Sequence, residues 1–192
     1  MKQILIVCLV ILGCSVHAFS ELVNFNLLGD SAIYSRLDNQ STAIITNNGL
    51  IATFTASAGG VMNRTTSGFG INGSGSDDTH GLNTGQYIQI IFDQDVTFTN
   101  LNISSWGALD AGEVQLGPAF TSQGSISGTG DTLYNFTVSQ GTAIRIIATA
   151  DTASNNGFSV DGFTVAIPEP SSAALITITA GLLFIIRRKL RI

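Results

Sequence analysis

The chain has 192 residues, with 8 basic and 13 acidic side chains and a net charge of −5 at pH 7. Only three of the basic residues lie between positions 19 and 170, where all the acidic residues are found. We call residues 19–170 the body of the chain. Its strongly acidic character excludes nucleic acid as a partner, because phosphates require basic surfaces. Both cysteines, Cys8 and Cys14, precede this body, and it contains a single histidine, His80. We therefore expect no disulfide framework, no thiolate metal site, no cysteine nucleophile and no histidine-clustered zinc site in it.

Residues 1–18 have the three parts of a secretory signal peptide. Lys2 supplies the charged start, residues 4–12 form an apolar stretch, and Val-His-Ala at positions 16–18 offers a small-residue cleavage site. A second interpretation stays open, because positions 11–14 loosely resemble the attachment sequence of a lipoprotein. We expect cleavage after the alanine at the end of the segment, which makes the chain an exported protein.

Residues 19–166 are rich in Gly, Ser, Thr and Asn, and short β-branched and aromatic runs separate these polar stretches. No stretch keeps a helical period, whereas turn signals recur about every ten residues. The pattern predicts about eight to ten strands in a single antiparallel β-sandwich or jelly-roll domain. No internal repeat and no second domain is indicated.

The strands are assigned from alternation and from the turn residues between them. In chain order we predict strands over residues 22–28, 42–46, 50–56, 86–92, 96–104, 113–116, 133–138, 143–148 and 158–166. Asn47-Asn48-Gly49 joins the second and third strands in a hairpin, because Asn and Gly accept the positive φ of such a turn. Residues 58–71 are ambiguous, with a broken strand around Val61 and another near Phe69. Four positions of the strand 96–104 are expected to face the core, namely Val96, Phe98, Leu101 and Ile103.

The most polar loop, residues 68–85, holds Asp77, Asp78 and His80. Such a loop can wrap a hard cation, because Ca²⁺ takes six to eight oxygen ligands that include backbone carbonyls. Asp77 and Asp78 are the candidate metal ligands, although their spacing is not that of an EF-hand. The alternative interpretation, which we favour, is a solvated acidic loop with Asx turns and no cofactor.

Trp106 and Tyr87 are candidate carbohydrate-stacking residues, because an aromatic ring offers an apolar face to a sugar while turn residues bind its hydroxyls. The plainer interpretation is that Trp106 packs one end of the sandwich. Asp110 and Glu113 are the carboxylate pair beside this tryptophan, and glycoside hydrolysis needs two carboxylates across a sugar. Because nearly all acidic residues lie in turn contexts, we expect a protein that is not an enzyme, with a hydrolase as the weaker alternative.

The C-terminal segment, residues 167–192, has three parts. Pro168, Glu169 and Pro170 form a stiff extended connector, since each proline fixes its own φ and disfavours helix in the residue before it. Residues 171–186 are apolar and reach roughly 24 Å as a helix, short of the roughly 30 Å hydrocarbon core. A basic cluster follows, consisting of Arg187, Arg188, Lys189 and Arg191.

These parts predict a transmembrane helix whose basic end is cytoplasmic. Local thinning of the bilayer and extended basic side chains can make up for its short length. The alternative is a buried core helix, but four basic residues directly after the run would then have to be accommodated beside the core. We therefore expect the chain to be tethered in a membrane by this helix.

The triplet Pro168–Pro170, the apolar run and the basic end together resemble the PEP-CTERM sorting signal of Gram-negative bacteria that export extracellular polysaccharide. In that family the Pro-Glu-Pro triplet is the recognition element for exosortase, a membrane-embedded cysteine protease or transpeptidase. Residues 68–78 and 86–93, and the ending 161–165, also resemble a β-sandwich body common among PEP-CTERM proteins.

The resemblance implies exosortase as a partner and delivery to the cell surface or extracellular matrix after processing. The body is then expected to have a non-enzymatic structural or adhesive role in the polysaccharide matrix of a biofilm. The alternative function is a carbohydrate-binding module, with or without calcium.

Overall fold

The computed structural model describes residues 20–28, 34–65, 68–73, 81–151 and 157–168. Within these residues the backbone forms twelve β-strands, one 3₁₀ helix and no α-helix. In chain order the elements are β1 (Glu21–Asn26), the 3₁₀ helix (Tyr34–Leu37), β2 (Thr42–Asn47), β3 (Leu50–Ala56), β4 (Val61–Thr65), β5 (Gly68–Asn72), β6 (Tyr87–Phe92), β7 (Val96–Ser104), β8 (Ala111–Leu116), β9 (Thr121–Ile126), β10 (Gly130–Val138), β11 (Ala143–Ala150) and β12 (Ser159–Ile167). All strand pairs with a defined register are antiparallel. The predicted antiparallel all-β class is confirmed.

Most of the strands belong to two sheets. Sheet A has the order β1-β12-β7-β10, sheet B has the order β2-β3-β6-β11-β8-β9, and β4 and β5 form a separate hairpin. The inner faces of the two sheets meet in a cluster of fully buried phenylalanines, with ring centroids 6.1 to 6.3 Å apart across the interface. Sheet A contributes Phe25 and Phe163, and sheet B contributes Phe54 and Phe92. The architecture is therefore sandwich-like, and Leu22–Ile167 form one compact unit.

Strand β7 shows how the sequence pattern sets the inner face. The four residues predicted to face the core (Val96, Phe98, Leu101 and Ile103) are all fully buried, as predicted. The alternation skips one residue at Thr99, and the pairing of β7 with both β10 and β12 shifts at this point. Such an irregularity keeps the apolar side chains before and after it on the same face.

The predicted hairpin of β2 and β3 is also confirmed. Asn48 and Gly49 have φ values of +47° and +79°, and Asn47 pairs with Leu50 across them. This left-handed backbone at both central residues is the type I′ geometry that suits the twist of two antiparallel strands. The ambiguous region 58–71 contains a second hairpin, formed by β4 and β5.

Strand β9 was not predicted from the sequence. Its sequence, Thr-Ser-Gln-Gly-Ser-Ile, has no apolar alternation, and Ile126 is its single buried residue. It is the last strand of sheet B and pairs with β8. An edge strand of this kind is specified by its partner rather than by its own side chains.

None of the helices in the described part of the chain has the length and apolar character needed to cross a membrane. The predicted signal peptide (1–18), the predicted transmembrane helix (171–186) and the basic cluster after it lie outside the described residues, as do Glu169 and Pro170. These assignments stay predictions.

Candidate functional site

The outer face of sheet A contains a polar cleft with a volume of about 440 Å³. Its four strands all contribute to the lining. The polar residues that line it are Asn24 and Asn26 on β1, Asn100 and Asn102 on β7, Asp131 on β10, and Asp161 and Thr164 on β12. The cleft therefore gathers amide and carboxylate groups from strands that are far apart in the sequence.

The period-two alternation of a strand explains why the asparagines face outwards. Val23 and Phe25 of β1 are fully buried in the core. Successive side chains of a strand point to opposite faces, so Asn24 and Asn26 lie on the outer surface. The same reasoning applies to β7, where the cleft asparagines alternate with the buried Leu101.

A β-bulge brings Asp161 into the cleft. Val160 pairs with Ile103 and Gly162 pairs with Asn102, so that Asp161 is an extra residue without a partner of its own on β7. A bulge of this kind redirects a side chain without ending the strand. Asp161 is consequently placed on the outer face beside Gly162.

Gly162 allows β1 to lie close to β12 at the floor of the cleft. A Cβ atom at this position would be 2.6 Å from the carbonyl oxygen of Phe25. Such a distance is well inside van der Waals contact. Only glycine therefore fits between the two backbones, and its missing side chain leaves the floor open.

The two carboxylates of the cleft have different surroundings. Asp161 is partly buried, and this burial raises the pKa of its carboxyl group above the ordinary value. The hydroxyl of Ser104 donates a 2.5 Å hydrogen bond to Oδ1 of Asp161, and this bond opposes the rise. Asp131 is exposed and accepts a 2.8 Å hydrogen bond from the Nδ2 amide of Asn102. Because β7 separates β10 from β12, the two aspartates are roughly two strand spacings, or about 10 Å, apart.

This lining is suited to hydroxyl groups. Asparagine amides both donate and accept hydrogen bonds, and carboxylates accept them from hydroxyls. The lining has no basic side chain, and its one aromatic residue, Phe163, is 1% exposed and belongs to the core. The cleft can bind a polyol through hydrogen bonds, but it has no aromatic platform of its own.

The residues predicted to stack on sugars lie elsewhere. Trp106 packs against Phe158 with ring centroids 5.3 Å apart and planes inclined by 29°, next to the core. Tyr87 lies on the outer face of sheet B, where the guanidinium of Arg145 covers its ring at 4.0 Å from the ring centroid. In both residues one face of the ring is thus in contact with the protein itself, and a role in sugar stacking stays a prediction.

Asp110 and Glu113 do not meet in one cleft. Asp110 is buried ahead of β8, where its Oδ2 accepts a 2.6 Å hydrogen bond from the backbone N–H of Gly107. Its Oδ1 is buried without a hydrogen-bond partner among the described residues. Glu113 lies on the outer face of sheet B and accepts a 2.6 Å hydrogen bond from Gln115. Their separate positions give no support to a hydrolase built on this pair.

The proposed calcium ligands Asp77 and Asp78 lie outside the described residues, so their metal binding stays a prediction. Over the ranges that the structure does describe, His, Asp, Glu and Cys side chains form no group of three or more that could hold a metal ion.

The cleft was not predicted from the sequence, although a local signal for it exists. Polar residues alternate with buried ones in Val23-Asn24-Phe25-Asn26 and again in Asn100-Leu101-Asn102. Asparagine is disfavoured in strands, and its repeated use at outward positions is a hint of function.

In a comparison with known proteins, no family model matches the chain, and no curated protein is detectably similar to it.

Proposed function

We propose that this chain is an exported, non-enzymatic protein of the cell surface or extracellular polysaccharide matrix of a Gram-negative bacterium. In this proposal residues 1–18 direct export, and the helix 171–186 tethers the chain at the inner membrane. Exosortase then processes it at Pro168-Glu169-Pro170. The support is the order of features in the sequence, with an acidic β-sandwich body between two apolar ends.

The role of the body is adhesive, and the polar cleft of sheet A is its binding site for neutral polysaccharide. The observation that carries this assignment is the lining of amides and carboxylates from all four strands of the sheet. Sugar hydroxyls are matched by groups that both donate and accept hydrogen bonds. With two aspartates and no basic side chain, the cleft disfavours acidic sugars.

The arrangement favours binding over hydrolysis. Glycoside hydrolysis requires a sugar between two carboxylates. In the cleft, Asn102 of the middle strand lies between Asp131 and Asp161 and donates a hydrogen bond to the former. One of the two carboxylates is therefore already engaged by a neighbouring side chain of the protein.

Binding to neutral polysaccharides tests the proposal. The full chain, purified in detergent, is run in native gels that contain dextran, galactomannan or a β-glucan, and its retardation is compared with that of variants. We expect Asn102→Ala to raise the polysaccharide concentration needed for half-maximal retardation about tenfold. The reason is that the substitution removes an amide that would hydrogen-bond the ligand and that also holds the carboxylate of Asp131.

Asn135→Ala is the matched control, because this asparagine lies on β10 of the same sheet, is exposed and does not line the cleft. The assignment of the cleft is contradicted if none of the neutral polysaccharides retards the wild-type protein, or if the two variants lose retardation equally. Release of reducing ends from any of the polysaccharides contradicts the non-enzymatic role.

A further inference from the structure

The second feature of interest is Arg145 on the opposite side of the sandwich. It lies on β11 between the buried residues Ile144 and Ile146, so its side chain points out of sheet B. Across the sheet its neighbours are Gln89 on β6 and Gln115 on β8. Arg145 is one of three basic residues in an otherwise acidic body.

The guanidinium of Arg145 is held between two aromatic rings. Its carbon atom Cζ lies 4.0 Å from the ring centroid of Tyr87 and 3.3 Å from that of Phe120. Its Nε donates a 3.1 Å hydrogen bond to Oε1 of Gln89. These contacts fix the plane of the guanidinium and cover its two faces, so that only its edge is open to a ligand.

The position of Phe120 is held by an unusual backbone. Its φ is +48°, in the left-handed region that bulky residues rarely adopt. The turn is closed by hydrogen bonds from the N–H of Gly117 to Ala143 and from the N–H of Phe120 to Gly117, at 2.9 and 3.1 Å. Outlying backbone of this kind tends to occur at functional sites. Here it places the ring of Phe120 on Arg145.

The charge of Arg145 is not neutralised by the acidic residues around it. No carboxylate in the described part of the chain lies within ion-pair distance of its guanidinium, and its two terminal amino groups make no hydrogen bond to a described residue. Glu113, on the neighbouring strand, has its Oε1 engaged by the amide of Gln115. With respect to the described residues, this fixed arginine thus has open donors at the edge of its guanidinium.

We propose that Arg145, clamped between Tyr87 and Phe120, binds the carboxylate of a uronic acid unit in an acidic polysaccharide. The open edge of the guanidinium presents parallel N–H donors that match the two oxygens of a carboxylate. Gln89 and Gln115 flank it with amides for the hydroxyls of the same sugar. The choice of a sugar as the carrier of the carboxylate rests on the proposed function in a polysaccharide matrix.

The experiment compares three ligands by isothermal titration calorimetry with the full chain in detergent: an oligogalacturonate, its methyl ester and succinate. The expected result is binding of the oligogalacturonate that weakens with rising ionic strength, and at least tenfold weaker binding of the neutral methyl ester. Equal binding of the methyl ester overturns the proposal. Succinate that binds as tightly as the oligogalacturonate overturns the assignment to a sugar.

Two substitutions of Arg145 separate its geometry from its charge. Arg145→Gln and Arg145→Lys should both weaken oligogalacturonate binding at least tenfold, because lysine keeps the charge but loses the planar pair of donors. Arg36→Gln, at an exposed position in the 3₁₀ helix, makes the same charge change and should leave binding unchanged. Full binding by Arg145→Lys, or an equal loss in Arg36→Gln, refutes the clamp.

Two further measurements keep the outcome interpretable. Thermal melting identifies any variant that fails to fold, and Arg145→Lys, which retains the aliphatic stem and the charge, is the variant on which the decision rests. Retardation by neutral polysaccharide in the same preparations reports on the cleft of sheet A. If neutral polysaccharide does not retard the wild-type protein, the proposed function is contradicted. If it does, but the wild-type protein does not bind the oligogalacturonate, only the proposed role of Arg145 is contradicted.

Discussion

Replacement of Gly162 by alanine should destabilise the body and impair the cleft together. The new Cβ would lie 2.6 Å from the carbonyl oxygen of Phe25, about 1 Å short of the roughly 3.5 Å at which non-bonded heavy atoms attract. Strand β1 therefore has to move away from β12, which disturbs the stack of Phe25 on Phe163 at 4.7 Å. Overpacking of this kind costs about 1–3 kcal/mol. In a body of this size that lowers Tm by roughly 2–12 °C.

Thermal unfolding followed by circular dichroism measures the loss of stability, and gel retardation by neutral polysaccharide measures the loss of binding. Gly85→Ala is the control, because Gly85 has a φ of +83° and nothing within 4 Å of an added Cβ. It is expected to lose stability through its backbone alone and to retain binding. A Gly162→Ala variant that melts with the wild type, or that melts early but binds normally, refutes the account of the cleft floor.

Three other predictions concern the cleft, the core and the tail. Burial raises the pKa of the Asp161 carboxyl group above its ordinary value of 3.8. The folded state therefore binds a proton at this group more tightly than the unfolded state does, and the protein loses stability as pH rises above 3.8. Asp161→Asn should remove this loss, so the Tm of the variant minus that of the wild type should increase as pH rises above 3.8; a constant difference contradicts the prediction. Phe163→Ala should lower the free energy of unfolding, measured by chemical denaturation, by about 3–5 kcal/mol, because removal of a ring that contacts four others leaves a cavity. Leu133 is 80% exposed, and Leu133→Ala should change this free energy by less than about 0.5 kcal/mol. Alanines at 168–170 should leave an unprocessed precursor in the membrane fraction, and an intact mass equal to that of the processed wild type would contradict the sorting proposal.

The sequence predicts best those strands whose side chains alternate strongly. Strand β7 has the predicted bounds because buried and polar residues alternate along most of its length. Strand β9 could not be predicted in this way, since Ile126 is its one buried residue and the rest of its side chains are polar or absent. It pairs only with β8, the strand that precedes it, and an edge strand with one buried side chain leaves little apolar pattern in the sequence.

The two proposed binding sites could not be predicted from the sequence for a related reason. The outward asparagines of β1 and β7 are visible in the sequence, but β12 separates the two strands, and nothing local indicates this order. For the clamp, Ile144-Arg145-Ile146 indicates an outward arginine. The approach of Phe120 cannot be foreseen, because phenylalanine is not a residue from which a left-handed turn would be predicted. Sites assembled from several strands are therefore hidden until the topology is known.

The two proposed sites lie on opposite outer faces, because the inner faces of sheets A and B are packed against each other. Two stacked sheets are about 10 Å apart, so a ligand in the cleft and a ligand at Arg145 do not compete for space. If both proposals hold, one molecule joins a neutral polysaccharide to an acidic one. We expect the wild-type chain to raise the turbidity of a mixture of the two polymers.

Either Asn102→Ala or Arg145→Gln should strongly reduce this rise in turbidity while the variant still binds the polymer whose site is intact. Such a result distinguishes bridging from simple binding, because each variant loses only one of the two attachments. Turbidity that persists in both variants, or that appears with a single polymer alone, would show that cross-linking arises from association of the chain itself rather than from its two faces.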